Sequence, residues 1–156
     1  MHRNHPHPKA AFRALKLIYY ALNTGLMLFF FVGIFLNDKT IPEFKDGVDI
    51  LTLVNILLLG MIPVGNMLSG RKIAAIEAGD PFSRKFEQFQ SAMILRWAMI
   101  EGVALFSIVG LILLQDGKQL VIFVICILIL SMNTVSKEKV IKLAKLNAEE
   151  ARSLEE

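Results

Sequence analysis

A chain of 156 residues with 54% hydrophobic residues, a mean hydropathy of +0.54 and a net charge of +3 is too apolar for a soluble domain of its length. Its apolar residues fall in blocks rather than amphipathic stripes, which indicates an all-α integral membrane protein. The single Cys126 excludes paired-thiol redox chemistry, and His2, His5 and His7 all precede the first block, which excludes intramembrane histidine pairs for haem or metal.

Residues 1–8 are polar and broken by proline, and are expected to form a disordered tail. Their histidines would hold a metal only loosely, and no metal or other cofactor is expected. Residues 9–136 read as a four-helix transmembrane domain with spans at about 17–36, 48–68, 92–114 and 120–135. A helical span needs about 20 residues, and the fourth meets this only by borrowing Asn133 to Val135. Tyr19 and Tyr20 are expected at the headgroup level, where amphipathic rings settle. In the second span Pro63 removes a helical hydrogen bond and frees the carbonyl of Leu59, which then needs a donor.

The loop at 69–91 reads as two helical extensions broken at Gly79-Asp80-Pro81, a helical hairpin outside the membrane. Gln115 to Lys118 is a turn short enough to force the third and fourth spans antiparallel. Residues 137–156 hold no glycine or proline and are rich in Lys, Glu, Ala and Leu. They are expected to extend the fourth helix as a cytoplasmic helical tail, either solvated or carrying a weak partner-binding face.

Outside the spans, 13 Lys and Arg lie in the two terminal segments and the 69–91 loop, against 3 in the other two loops. The positive-inside rule therefore puts both termini and the 69–91 loop in the cytoplasm. The basic balance is topological, so no nucleic-acid partner is expected. The first apolar block is longer than the core of a cleavable signal and should stay as an anchor, which with the charge bias points to a bacterial inner (plasma) membrane.

Glu101 is the most informative residue, because it lies about two residues from the centre of the third span. An acid at mid-membrane costs roughly 2.5 to 3.5 kcal/mol on insertion scales, and such residues often mark an ion or proton pathway. Ala98 and Gly102 flank it at small-xxx-small spacing, with Gly110 further along, which allows a second helix to approach closely. Arg96 is five residues away, about 140° around the helix, so the two cannot face each other on one helix. A pairing across helices stays open. Depth matching from the first span offers Asn23 and Thr24, of which Asn23 could hydrogen-bond the acid.

The stretch Gln90-Ser-Ala-Met-Ile-Leu-Arg-Trp-Ala-Met-Ile-Glu101 to Leu114, with Ser136-Lys-Glu-Lys-Val-Ile-Lys142 and Glu149-Glu150, resembles a group of small uncharacterised four-span membrane proteins of Bacteroidetes-type bacteria. That resemblance implies architecture and origin but no activity. Residues 70–114 also resemble the proteolipid c subunit of rotary ATP synthases, in the spacing from Gln90 to Glu101 and in the polar loop at Gly70-Arg71 and Pro81. The resemblance implies that Glu101 carries a proton or sodium ion. The second span departs from that family, having only Gly60 and Gly65 where a tight ring needs closely spaced glycines.

Two function classes follow. In one, the chain is a structural or accessory membrane subunit, a homo-oligomer or part of a larger membrane complex, in which Glu101 ties helices together. In the other, Glu101 cycles between protonated and ionised forms to move or sense protons or sodium. No activated nucleophile, phosphate loop or metal cluster supports an enzyme.

Overall fold

The computed structural model describes residues 8–36 and 42–154. The expected disorder of residues 1–8 lies outside these, apart from Pro8, which opens the first helix. Among the described residues seven helices follow in order: α1 (Pro8–Leu36), α2 (Ile50–Leu59), α3 (Met61–Ala74), α4 (Phe82–Leu114), α5 (Gly117–Met132), α6 (Lys137–Leu143) and α7 (Ala148–Ser153). Three helices are long and apolar enough to cross a membrane: α1, α4, and α2 with α3 taken together as Ile50–Ala74. A fourth crossing is available if α5 and α6, bent by 74° at their junction, are counted as one broken span. The chain is thus of multi-pass membrane type.

Local chemistry sets the helix ends. Asp49 caps α2 by accepting from the Thr52 N–H at 3.0 Å and hydroxyl at 2.8 Å, and Asp116 caps α5 by accepting from the Lys118 N–H at 3.0 Å. The second span is interrupted at Gly60, whose N–H donates to the Leu57 carbonyl at 3.0 Å. Pro63 stands in the first turn of α3, where the absence of its N–H is tolerated, and it is exposed.

α4 is the axis of the bundle, packing against α1, α2, α3 and α5. Ala92, Trp97, Ala104 and Ile108 on it are fully buried. Close approaches occur where a glycine leaves room: Met99 closes on Gly65 of α3, Ile108 and Ile112 on Gly33 of α1, and the Gln119 amide on Gly110. On α1, Leu17, Tyr20, Leu28, Phe31 and Phe35 are exposed, as a lipid-facing surface requires. Tyr20 is exposed, whereas Tyr19 faces the bundle. It is buried against Trp97 and donates its hydroxyl to the Leu130 carbonyl at 3.2 Å, because a phenol can satisfy its polar tip inside a bundle when a helix end offers an acceptor.

The chain does not continue α5 as a straight tail. α5 ends at Asn133, whose amide folds back onto the Ile129 carbonyl at 2.7 Å, and Ser136 caps a new helix. Asn competes with the helix for its own backbone groups, and here it ends the helix without glycine or proline. The α6–α7 segment then packs back on the bundle rather than standing in solvent, with Val140, Ala144 and Leu154 buried. Lys85 on α4, itself 1% exposed, pairs with Glu150 at 2.9 Å, and Lys145 donates to the Ile76 carbonyl just beyond α3.

At the opposite end the two connections are laced together. The Gly117 N–H donates to the Glu43 carbonyl at 2.9 Å, and the Lys118 ammonium donates to the carbonyls of Lys45 at 2.6 Å and Gly47 at 2.7 Å.

Candidate functional site

Two contacts set the register of α1 on α4. Tyr19 and Trp97 meet with ring centroids 5.2 Å apart, and Gly33 meets Ile108 and Ile112 further along, so the helices run parallel. One turn past the ring pair this register brings Asn23 level with Glu101, both partly exposed at the edge of the α1–α4 seam. Side chains three and four apart share a helix face, which puts Glu101 on the same side as Trp97 and Ile108.

The register match does not become a hydrogen bond. The Asn23 amide donates to the Tyr19 carbonyl of its own helix at 2.8 Å, and Thr24 is exposed on the outer side of α1. Among the described residues Glu101 has no hydrogen-bond or salt-bridge partner, and no side chain donates to the Leu59 carbonyl. Arg96 turns to the other side of α4, donating through Nε to Ser69 Oγ at 3.0 Å and through Nη1 to Asn133 Oδ1 at 3.2 Å.

Beside Glu101 the surface of α4 is open. Ala98 and Gly102 are exposed, and a side chain built at Gly102 would meet nothing within 4 Å. Towards α3, Ala98 continues into a groove of about 540 Å³ shared with Gln90, Ser91, Ile94 and Lys72. Among the described residues neither Ala98 nor Gly102 is covered by another helix, whereas Gly110 serves the α4–α5 contact within the chain.

The sequence reading missed a second polar cluster. Asn55, Ser107, Gln119 and Thr52 are each at most 1% exposed. The Asn55 amide donates to Ser107 Oγ at 2.9 Å and Gln119 Oε1 at 2.6 Å, and Gln119 Nε2 donates to Thr52 Oγ1 at 2.9 Å. Asn55 Oδ1 is buried without a partner. Thr52 and Asn55 stand three apart in an otherwise apolar run, a spacing that puts both on one face, and that was the available signal. The cluster ties α2, α4 and α5 at one end of the bundle, and the groups it satisfies would otherwise be unpaired in a dry interior.

Among the described residues no group of histidine, cysteine and carboxylate side chains is placed to hold a metal ion. The chain matches no family model, no curated protein and no solved structure.

Proposed function

We infer that this protein is a structural or accessory component of a membrane assembly, and that Glu101 holds α4 against another membrane-embedded helix, that of a second copy of this chain. The observation that carries the reading is a carboxyl within the apolar stretch of α4 that finds no partner among the described residues and stands beside open Ala98 and Gly102. An isolated polar group in hydrocarbon costs several kcal/mol, so a partner from outside the chain is favoured. A protonated carboxyl is both donor and acceptor, which makes it self-complementary across a two-fold axis. The charge bias supports an orientation with both termini in the cytoplasm of a bacterial inner membrane. No catalytic role is assigned.

The test is the mass of the detergent-solubilised chain across a dilution series. Wild type is expected to dimerise, and Glu101→Leu to weaken dimerisation. A wild-type chain that stays monomeric at every concentration overturns the reading.

A second reading, in which Glu101 carries a proton or sodium ion, is favoured by the same opening, since Gly102 leaves the carboxyl reachable from the hydrocarbon. Carbodiimide labelling of native membranes, followed at Glu101 by mass spectrometry, separates the two. Labelling that sodium protects supports ion binding, and labelling that neither sodium nor pH affects speaks against it.

A further inference from the structure

Arg96, Lys139 and Lys142 converge on one cavity of about 260 Å³ where α4, the end of α5 and α6 meet. Asn133 and the apolar Phe89 and Met93 complete its lining. None of the three cations has a carboxylate within ion-pair distance among the described residues. Arg96 uses two of its five N–H donors on Ser69 and Asn133, which leaves part of the guanidinium free. Lys139 is held in place by the carbonyls of Met132 and Thr134, both at 3.1 Å, and Lys142 is exposed.

The arrangement is specific in three ways. First, Arg96 is locked by neutral acceptors rather than neutralised, so its positive charge is presented to the cavity. Second, the bend between α5 and α6 is what brings Lys139 and Lys142 back to α4; a straight fourth helix would carry them away from Arg96. Third, α4 is long enough to put Arg96 at headgroup depth. From Leu114, at the far end of α4, to Arg96 the helix rises about 27 Å, close to the roughly 30 Å thickness of the hydrocarbon layer. The cavity also falls just below the range of roughly 300–1,000 Å³ usual for drug-sized ligands, which suits a compact anion.

We propose that this cavity binds a phosphate group, with Arg96 as the oriented fork and Lys139 and Lys142 as point charges. A guanidinium fork matches phosphate oxygens, and basic pockets between membrane helices at the headgroup level take anionic lipid headgroups. The phosphate is that of an anionic phospholipid such as phosphatidylglycerol, or of a soluble phosphate from the aqueous side. Both present the same chemistry to the three cations.

The experiment is native mass spectrometry of the full chain in detergent, titrated separately with phosphatidylglycerol, phosphatidylcholine and inorganic phosphate. Lys142→Gln is the principal variant because its side chain is exposed and holds no partner among the described residues, so folding is not at stake. Arg71→Gln, on the exposed last turn of α3, is the control for diffuse charge. A headgroup site is supported if phosphatidylglycerol is retained over phosphatidylcholine, and if Lys142→Gln weakens it about fivefold while Arg71→Gln leaves it unchanged. A soluble-anion site is supported if inorganic phosphate binds, with the same Lys142 dependence, and phosphatidylglycerol does not. The proposal is overturned if neither binds, or if Arg71→Gln weakens binding as much as Lys142→Gln.

Discussion

Tyr19 and Trp97 meet in a tilted ring contact across the α1–α4 seam, with centroids 5.2 Å apart and ring planes at 55°, one helical turn from Asn23 and Glu101. The pair is anchored at both polar tips, Tyr19 to the Leu130 carbonyl and Trp97 to the Asn133 carbonyl at 3.1 Å. Aromatic contact and two end-of-helix hydrogen bonds therefore fix the depth of Glu101 relative to α1. The absence of an Asn23 bond to the acid is a matter of side-chain direction rather than of level.

From this geometry Glu101→Gln and Glu101→Leu should differ. The amide keeps a donor and an acceptor and should preserve self-association, while leucine removes both. Interhelical hydrogen bonds average about 0.6 kcal/mol, so losing a reciprocal pair should weaken dimerisation roughly fivefold to tenfold. The dilution series in detergent reads this directly, and equal dimerisation by both variants would count against a hydrogen-bonding role.

Glycine substitutions should separate intrachain from interchain packing. At Gly110 a new Cβ would stand 2.8 Å from the Gln119 amide, which is itself held by Asn55 and Thr52 and cannot move without breaking those bonds. Gly110→Ala should therefore destabilise the isolated chain by about 1–2 kcal/mol even after the gain of about 1 kcal/mol in helix propensity. Gly102→Ala, with nothing within 4 Å, should leave the stability of the monomer unchanged or slightly raised. Thermal unfolding in detergent distinguishes them.

The docking of α6 and α7 rests on a buried cation. Glu150→Ala would leave Lys85, 1% exposed, without its counter-ion, a loss of about 3 kcal/mol for a buried pair broken on one side. Hydrogen exchange in α6 and α7 should rise sharply in that variant while α4 and α5 stay protected. Lys85→Met, which removes the buried charge as well as the pair, should loosen the segment less.

Acid should loosen the opposite end first. Burial pushes the Asp116 carboxyl up, but the N–H, ammonium and charge of Lys118 outweigh it and hold it below the ordinary carboxylate value. A carboxylate depressed in the folded state contributes stability above its unfolded pKa and loses it as pH falls through the folded one. Stability should thus be level near neutrality and decline once pH falls below about 4, the unfolded Asp value. Asp116→Asn should flatten that decline in a pH series of melting temperatures.

How much of this was legible depended on whether a feature is set by composition or by direction. The long apolar blocks announced α1, α4 and the second span because hydrocarbon demands them. The closeness of Glu101 to Asn23 in depth also followed from counting residues. What counting could not supply was where a side chain spends its hydrogen bonds. Asn133 looked like span filler, yet its amide ends α5 and turns α6 back onto the bundle. Asn55 is one polar residue in an apolar run, and its partners, Ser107 and Gln119, come from α4 and α5, which the run itself does not name. Ala98 and Gly102 matched a packing motif by spacing, but the chain leaves them open, since a motif says what can approach and not from where.

The most direct measurement is cysteine crosslinking of Ala98→Cys in native membranes, with a short bifunctional maleimide. The one natural cysteine, Cys126, is buried on α5 and should stay silent. If Glu101 holds two copies together along α4, the Ala98→Cys chain should crosslink to a dimer, and adding Glu101→Leu should reduce that band. A chain that remains monomeric with Ala98→Cys, while its thiol is shown to react, would contradict the account.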